Sequence, residues 1–295
     1  MASVSSNDRS GTGRRLLAVL AHPDDESFGP GGTLALYARR GVEVHLACGT
    51  RGELGSAPEE LLAGYADVGA LREHELKCAA KELGLSGVHL LGYRDSGMLG
   101  SPDNQHPRAL AAAPLDEVAE QVAHLIREIR PQIVITFDPM GGYRHPDHMA
   151  VHRATLEAFH ASGDPGRFPG GPPTFRPDKL YYSTFDRRFL RAAVRMMRLV
   201  GRDPSHFGRN GDIDLADIAA QDFPTHAHIN IREVADVKSR AAACHASQGS
   251  PPASGIIGWF SRLLESSETF MRAYPPAPPG LREADLFEGF DLSPL

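Results

Sequence analysis

Cysteine is scarce in this chain. Only Cys48, Cys78 and Cys244 occur, far apart and without a C-x-x-C pair. Neither a disulfide framework nor a zinc knuckle is indicated, and a reducing cytoplasm is the simplest compartment. Tryptophan occurs once, as Trp259. No apolar run near the N-terminus approaches the length of a membrane span, which argues against stable membrane insertion. Residues 1–13 are polar and lack a hydrophobic segment, so no signal peptide is visible and they read as a disordered tail. Excess positive charge is missing too: the net charge of -6 argues against nucleic acid as a partner. The remaining 41% hydrophobic and 23% charged residues suit a soluble globular protein, and 295 residues can bury a full core.

Strand and helix patterns alternate from residue 14 onward. Leu16–Ala21 is a continuous apolar run, as expected of a strand buried on both faces. Gly31–Arg40 reads as a helix ended by Gly41, and Val42–Cys48 as the next strand. Leu71–Leu83 has helical spacing and ends at Gly84; Val88–Leu91 is a short strand. Leu115–Ile129 is an amphipathic helix before Pro131, followed by a strand at Gln132–Phe137 and a helix at Pro146–His160. Lys179–Ser183 and His226–Ile231 read as strands and Glu233–Gln248 as a helix. This order implies an α/β, Rossmann-like three-layer sandwich with a mostly parallel sheet. We expect one domain over 14–295, with an Arg-rich insertion or cap at 186–224 and a Pro-rich C-terminal extension at 250–295.

Two motifs stand at predicted strand ends. Ala21-His22-Pro23-Asp24-Asp25-Glu26 follows the first strand, and His145-Pro146-Asp147-His148 follows the strand ending at Phe137. Ligands of open α/β sheets bind outside the carboxyl ends of the strands, so the two motifs are expected to meet. A catalytic zinc takes three N or O ligands and keeps one position for water. His22, Asp25 and one histidine of the second motif supply three, leaving Asp24 beside the metal as a general base. Each motif alone has a plainer reading: Asp24 or Asp25 capping a helix, or Asp147 favoured in a first turn by the helix dipole.

With these residues the chain resembles the LmbE/PIG-L family of zinc-dependent de-N-acetylases, which share A-H-P-D-D-E and a later H-P-D-H. The likeness continues in Gly31-Gly32-Thr33, Arg94-Asp95-Ser96-Gly97-Met98, Gly142-Tyr143 and Ala246-Ser247-Gln248. Within the family it looks most similar to the actinobacterial branch acting on mycothiol, its precursor and its conjugates. The resemblance implies zinc on His22, Asp25 and His148, with iron(II) as the other candidate, and Asp24 as the base. It implies His145 opposite the metal, oriented by Asp147, and Tyr143 polarising the substrate carbonyl. It places Arg72 and Asp95 against sugar hydroxyls. The implied reaction is hydrolysis of an N-acyl amide on an amino-sugar conjugate. A thiol-sugar conjugate amidase is the alternative within the family. Phe28-Gly29-Pro30 departs from the family pattern at the rim of the site.

On this reading Asp24 takes a proton from the attacking water. An oxyanion forms against the metal and a second donor, either His145 as imidazolium or the Tyr143 hydroxyl. The leaving amine is protonated by Asp24 or His145. Two other classes compete. Two histidines and one carboxylate also describe a non-haem iron oxygenase, but that site needs no spare base. A non-catalytic sugar-binding protein is disfavoured by Asp24 and His145 both being present. His152, Cys48, His226 and His228 have plainer structural readings, and Glu53 could touch substrate or simply be solvated. Arg188, Arg191, Arg195, Arg198 and Arg202 make a helical stripe, read as a solvated basic face. The Ile256–Leu264 stretch suits a core or a subunit contact and leaves a homo-oligomer open.

Overall fold

Five of the six residues of the first strand are buried, as its unbroken apolar run requires, and the strand takes the centre of the sheet. The computed structural model of the chain describes residues 13–184, 187–205, 214–220, 223–249 and 266–290. The first half of the chain runs β1 (Arg15–Leu20), α1 (Asp25–Phe28), α2 (Gly31–Arg39), β2 (Glu43–Thr50), α3 (Glu59–Leu62), α4 (Val68–Leu83), β3 (Gly87–Tyr93) and α5 (Leu115–Ile129). The second half runs β4 (Ile133–Phe137), α6 (Gly141–Arg144), α7 (Pro146–Ala161), β5 (Lys179–Thr184), α8 (Arg187–Leu199), α9 (Leu215–Ala220), β6 (Ala227–Asn230), α10 (Ala235–Cys244) and β7 (Ser267–Tyr274).

The seven strands are ordered β3-β2-β1-β4-β5-β7-β6. Strands β1 to β5 run parallel to one another, with Leu16 opposite Val44 on one side and Ile133 on the other. From β1 the chain first builds outward through β2 and β3, then returns to place β4 on the opposite side. Right-handed crossovers in two directions put helices on both faces. Accordingly α2, α4 and α10 pack on one another, while α5 packs on α7. The α/β sandwich with a mostly parallel sheet is therefore present. The split between β1 and β4 is its topological switch point, where such folds open a crevice.

Two expectations are corrected. The 250–295 segment is more than an extension: β7 enters the sheet, antiparallel to β5 and to β6. Its mixed polar sequence, Ser267-Glu268-Thr269-Phe270, hides a strand that has only Phe270 and Thr269 buried near its start. The cysteine reading is corrected as well. Cys78 of α4 is joined to Cys244 at the end of α10, 166 residues apart with Cα atoms 5.8 Å apart. Only the packing of α4 on α10 brings them together, so their spacing in sequence carried no sign of it. Cysteine use thus no longer argues for a reducing compartment. Among the described residues no helix is long and apolar enough to cross a membrane. The expected tail at 1–13, save Gly13, and the Ile256–Leu264 stretch with Trp259 lie outside the described residues.

Candidate active site

The carboxyl end of β1 turns sharply. Asp24 has φ 126°, a conformation that L side chains adopt only under constraint. Asp25 then opens α1, and its Oδ2 accepts the backbone N–H groups of His22 at 2.7 Å and Ala21 at 3.2 Å. The turn is thus tied to one of its own side chains. At the end of β4, Asp138 Oδ1 accepts from Met140 N and Gly142 N at 2.8 and 3.2 Å. Gly141 and Gly142 supply the positive φ values of 63° and 68° that this loop needs. His145 caps α7: its Nδ1 accepts the Asp147 N–H at 3.2 Å, with Pro146 at the first helical position.

The two motifs meet. His22 Nδ1 and His148 Nε2 stand 3.2 Å apart. His148 Nε2 lies 3.3 Å from Asp25 Oδ1, and His22 Nδ1 lies 3.6 Å from Asp25 Oδ2. A tetrahedral site with metal–ligand bonds of about 2.0–2.1 Å has edges of about 3.3 Å; the two ring nitrogens stand at that spacing, and each faces a different oxygen of Asp25. The opposite ring nitrogens are committed elsewhere. His148 Nδ1 donates to the Gly141 carbonyl at 3.1 Å, and His22 Nε2 donates to Asp147 Oδ2 at 3.1 Å. When neutral, each ring is thereby held in the tautomer that turns a lone pair inward.

Other groupings of nearby donors are possible by distance: His22, His145 and His148, or His22, Asp95, His145 and Asp147. The latter is a poor cage. Asp147 is fully buried and its carboxylate is already filled by Ser96, whose N donates at 2.9 Å and whose hydroxyl donates to the other oxygen. Asp95 likewise accepts from Gly97 N at 2.8 Å and Leu54 N at 3.3 Å. In the former, the His145 Nδ1 is occupied by the Asp147 N–H.

Asp24 is held by Arg72. Arg72 Nη2 donates to Asp24 Oδ2 at 2.9 Å and to the Pro23 carbonyl at 2.6 Å, while Nη1 donates to the Gly52 carbonyl at 2.9 Å. A Cβ on Gly52 would collide with this guanidinium, so the approach requires glycine. Burial raises the Asp24 carboxyl to about 6, with Arg72 opposing the rise. That places it near neutrality, where a base is effective. Burial lowers His145 to about 2, helped by repulsion from His22 and His148. The ring is neutral at pH 7, with its proton on Nε2 because Nδ1 accepts. The imidazolium reading of His145 is therefore not supported. Burial, then Asp25 and Asp24, push the Tyr143 hydroxyl well up, so it remains a donor. Its ring packs edge-on to His148 at 5.0 Å and His145 at 5.9 Å. Burial opposes charge on His22, but Asp95, Asp147 and Asp25 outweigh it and raise the ring to about 9 in the metal-free chain.

Several expected roles shift. The carboxylate of Asp147 orients His22, whereas only its backbone N–H reaches His145. Arg72 is buried against Asp24 and two carbonyls, which is a different task from meeting sugar hydroxyls. Asp95 is buried 3.8 Å from His22 Nε2. The remaining candidates have structural partners. His152 Nδ1 bonds the Phe137 carbonyl at 2.9 Å and its ring packs on Tyr182. Cys48 is free and buried, Glu53 accepts the Asp95 N–H, and His226 Nδ1 accepts the Arg272 N–H. Of the arginine stripe, Arg195 and Arg198 face solvent while Arg191 donates to the Ala219 carbonyl. The side chain of Arg188 lies outside the described residues. Sequence reasoning missed the parts played by Ser96 and Glu26. Ser96 lies in a quoted run, but its contact with Asp147 spans 51 residues.

Comparison with known proteins agrees with this geometry. Residues 17–159 match the family model of PIG-L, GlcNAc-PI de-N-acetylase. A 1D-myo-inositol 2-acetamido-2-deoxy-alpha-D-glucopyranoside deacetylase of Geodermatophilus obscurus is 40% identical over 80% of this chain and 83% of its own. The protein of the same description from Thermobispora bispora is 37% identical over 94% of this chain and 98% of its own. Among solved structures, an N,N'-diacetylchitobiose deacetylase from Pyrococcus horikoshii superposes with a TM-score of 0.59 at 21% identity, over 88% of this chain and 83% of that one, a likeness of fold. With its two motifs converging at the switch point and relatives matched along nearly the whole length, the chain belongs to the PIG-L family of amide-hydrolysing de-N-acetylases.

Proposed function

We propose that this protein removes the acetyl group from a 2-acetamido-2-deoxyglucosyl conjugate, with an inositol aglycone as the first substrate to try. The observation that carries the reading is the set of three converging donors, His22 Nδ1, Asp25 and His148 Nε2, with the half-buried Asp24 carboxylate next in sequence to one of them. The relatives at 37–40% identity are described as deacetylases of that inositol glycoside. Zinc suits two imidazoles and one carboxylate; iron(II) is the other ion such a set accepts. When bound, the ion supplies Lewis acidity that makes water more acidic and polarises the acyl carbonyl.

The chain's own residues supply the remaining chemistry. Asp24 accepts the proton that water gives up as its oxygen bonds to the acyl carbon. The neutral His145 Nε2–H and the Tyr143 hydroxyl are donors for the oxygen that takes up charge, a role worth about 3 kcal/mol where one such donor is removed. Asp24 then returns its proton to the nitrogen as the C–N bond breaks, giving acetate and a free amine. Arg72 holds Asp24 throughout, and Asp147 keeps His22 in place. Neutral His145 cannot act as an acid without first gaining a proton, which favours Asp24 as the donor to the amine.

The test is direct. Zinc-loaded protein is incubated with 1D-myo-inositol 2-acetamido-2-deoxy-α-D-glucopyranoside, with N-acetylglucosamine and with an N-acylated thiol-sugar conjugate. Free amine and acetate are measured in each. Release from the inositol glycoside is expected; release from the thiol conjugate alone would move the reading to the amidase, and no release from any would refute it.

A further inference from the structure

The Asp24 carboxylate is held by Arg72, but its backbone is held by a second arm. Asp24 keeps φ 126° and ψ -30°, which an L residue does only when its surroundings impose it. The Asp24 carbonyl accepts from Ser27 N and Phe28 N, both at 2.9 Å, and Glu26 holds the other side of the residue: its Oε2 accepts the Asp24 N–H at 3.0 Å. Glu26 is fully buried. Its Oε1 accepts from the Ser27 hydroxyl at 2.6 Å and faces His245 Nε2 at 2.7 Å. His245 is also fully buried and lies 219 residues from Glu26, at the end of α10. Among the described residues its Nδ1 has no partner, so the ring's single hydrogen bond points at Glu26.

The segment carrying His245 is clamped on both sides. Cys244 is joined to Cys78, and Ser247 donates from N and Oγ to the two oxygens of Glu75 at 2.8 and 2.7 Å. Cys78 and Glu75 both belong to α4, the helix that also sends Arg72 to Asp24. One helix therefore anchors the side-chain grip and the backbone grip alike. A fully buried carboxylate and imidazole are a poor route to stability, since apolar groups of the same shape serve as well. The hydrolysis described above uses neither directly.

We propose that His245 is a positioning residue for the hydrolysis: through Glu26 it fixes the Asp24 backbone and so aims the Asp24 carboxylate. The inference rests on Asp24 being the general base. Without the His245 donor, only the adjacent Ser27 hydroxyl remains on Glu26 Oε1; the carboxylate shifts, its grip on the Asp24 N–H weakens and the strained turn relaxes. A carboxylate displaced by about 1 Å costs roughly 100-fold in rate.

The experiment uses the full zinc-loaded chain and 1D-myo-inositol 2-acetamido-2-deoxy-α-D-glucopyranoside. Zinc content, kcat and KM are measured for His245→Leu, His245→Gln, Asp24→Asn and the double variant Asp24→Asn/His245→Leu. His245→Leu is expected to keep its zinc and lose roughly 10- to 100-fold in kcat, with KM changed by less than ~3-fold. His245→Gln, whose amide N–H reaches Glu26, recovers most of that loss. The double variant is no slower than Asp24→Asn, because His245 acts only through Asp24. Should His245→Leu not fold, His245→Asn, whose shorter amide stops short of Glu26, takes its place. Normal kcat in the donorless variant, no recovery in His245→Gln, or losses that multiply in the double variant would each overturn the proposal. Near-normal turnover in Asp24→Asn alone would instead remove the general-base reading on which it rests.

Discussion

Arg72 and Asp24 form a partly buried ion pair at 2.9 Å across 48 residues, and the same guanidinium also ties down Pro23 and Gly52. The pair joins α4 to the turn after β1. It lets a carboxylate be partly buried beside the site without becoming fully neutral at pH 7. Burial raises its pKa to about 6 and Arg72 limits the rise.

The acid side of the pH profile follows. The base must be ionised to act, so kcat/KM falls about tenfold per pH unit once pH drops below about 6. Removing the nearby cation favours the protonated carboxyl. Arg72→Met therefore moves this limb to higher pH, by about one unit or more. Measuring kcat/KM from pH 4.5 to 8.5 for both proteins checks this, and a limb that stays put or moves down contradicts it.

Asp24→Asn keeps the size of the side chain and can still accept from Arg72, but takes no proton. Metal content and fold are expected to remain, with kcat lower by roughly 10²–10⁴-fold and a smaller change in KM. Amine release and metal content on one preparation decide it. Lost metal would make Asp24 a ligand.

Loading the metal should release a proton. In the metal-free chain the His22 ring is raised to about 9 because Asp95, Asp147 and Asp25 outweigh its burial. It is thus charged at pH 7 and must become neutral to bind. Calorimetry of zinc binding in buffers of different ionisation enthalpy should give about one proton released at pH 7. His148→Ala should abolish tight binding and hydrolysis. His152→Ala should keep the metal, because that ring is tied to the Phe137 carbonyl; the reverse outcome would overturn the ligand set.

The Cys78–Cys244 bond closes a separation of 166 residues. Its loss should destabilise the fold by about 2–5 kcal/mol. Cys78→Ser is expected to show this as a lower Tm, and reduction of the wild-type protein should lower its Tm to match. Equal Tm with and without reductant would count against a stabilising role.

Much of the fold was legible in local patterns. The period of Leu115–Ile129 and its proline boundary were enough to place α5 with the observed ends. The buried runs of β1 and β4 announced a parallel sheet, since only strands covered on both faces are apolar throughout. Strand β7 escaped notice because it mixes buried and half-exposed positions and runs straight into the prolines at 275, 276, 278 and 279.

The sequence by itself determined the donor chemistry: histidines and aspartates at two strand ends, and an order of elements that puts those ends side by side. Residue type and local spacing carry that information, because strands and turns are built from neighbours in the chain. Tertiary structure alone decided the partners. It assigned Asp147 to His22, turned Arg72 onto Asp24, filled Asp147 with Ser96, and brought Cys244 to Cys78 and His245 to Glu26. Each of these contacts spans from 48 to 219 residues. A hydrogen bond or disulfide acts over a few ångströms whatever the length of chain between its ends, so no local pattern could have announced them.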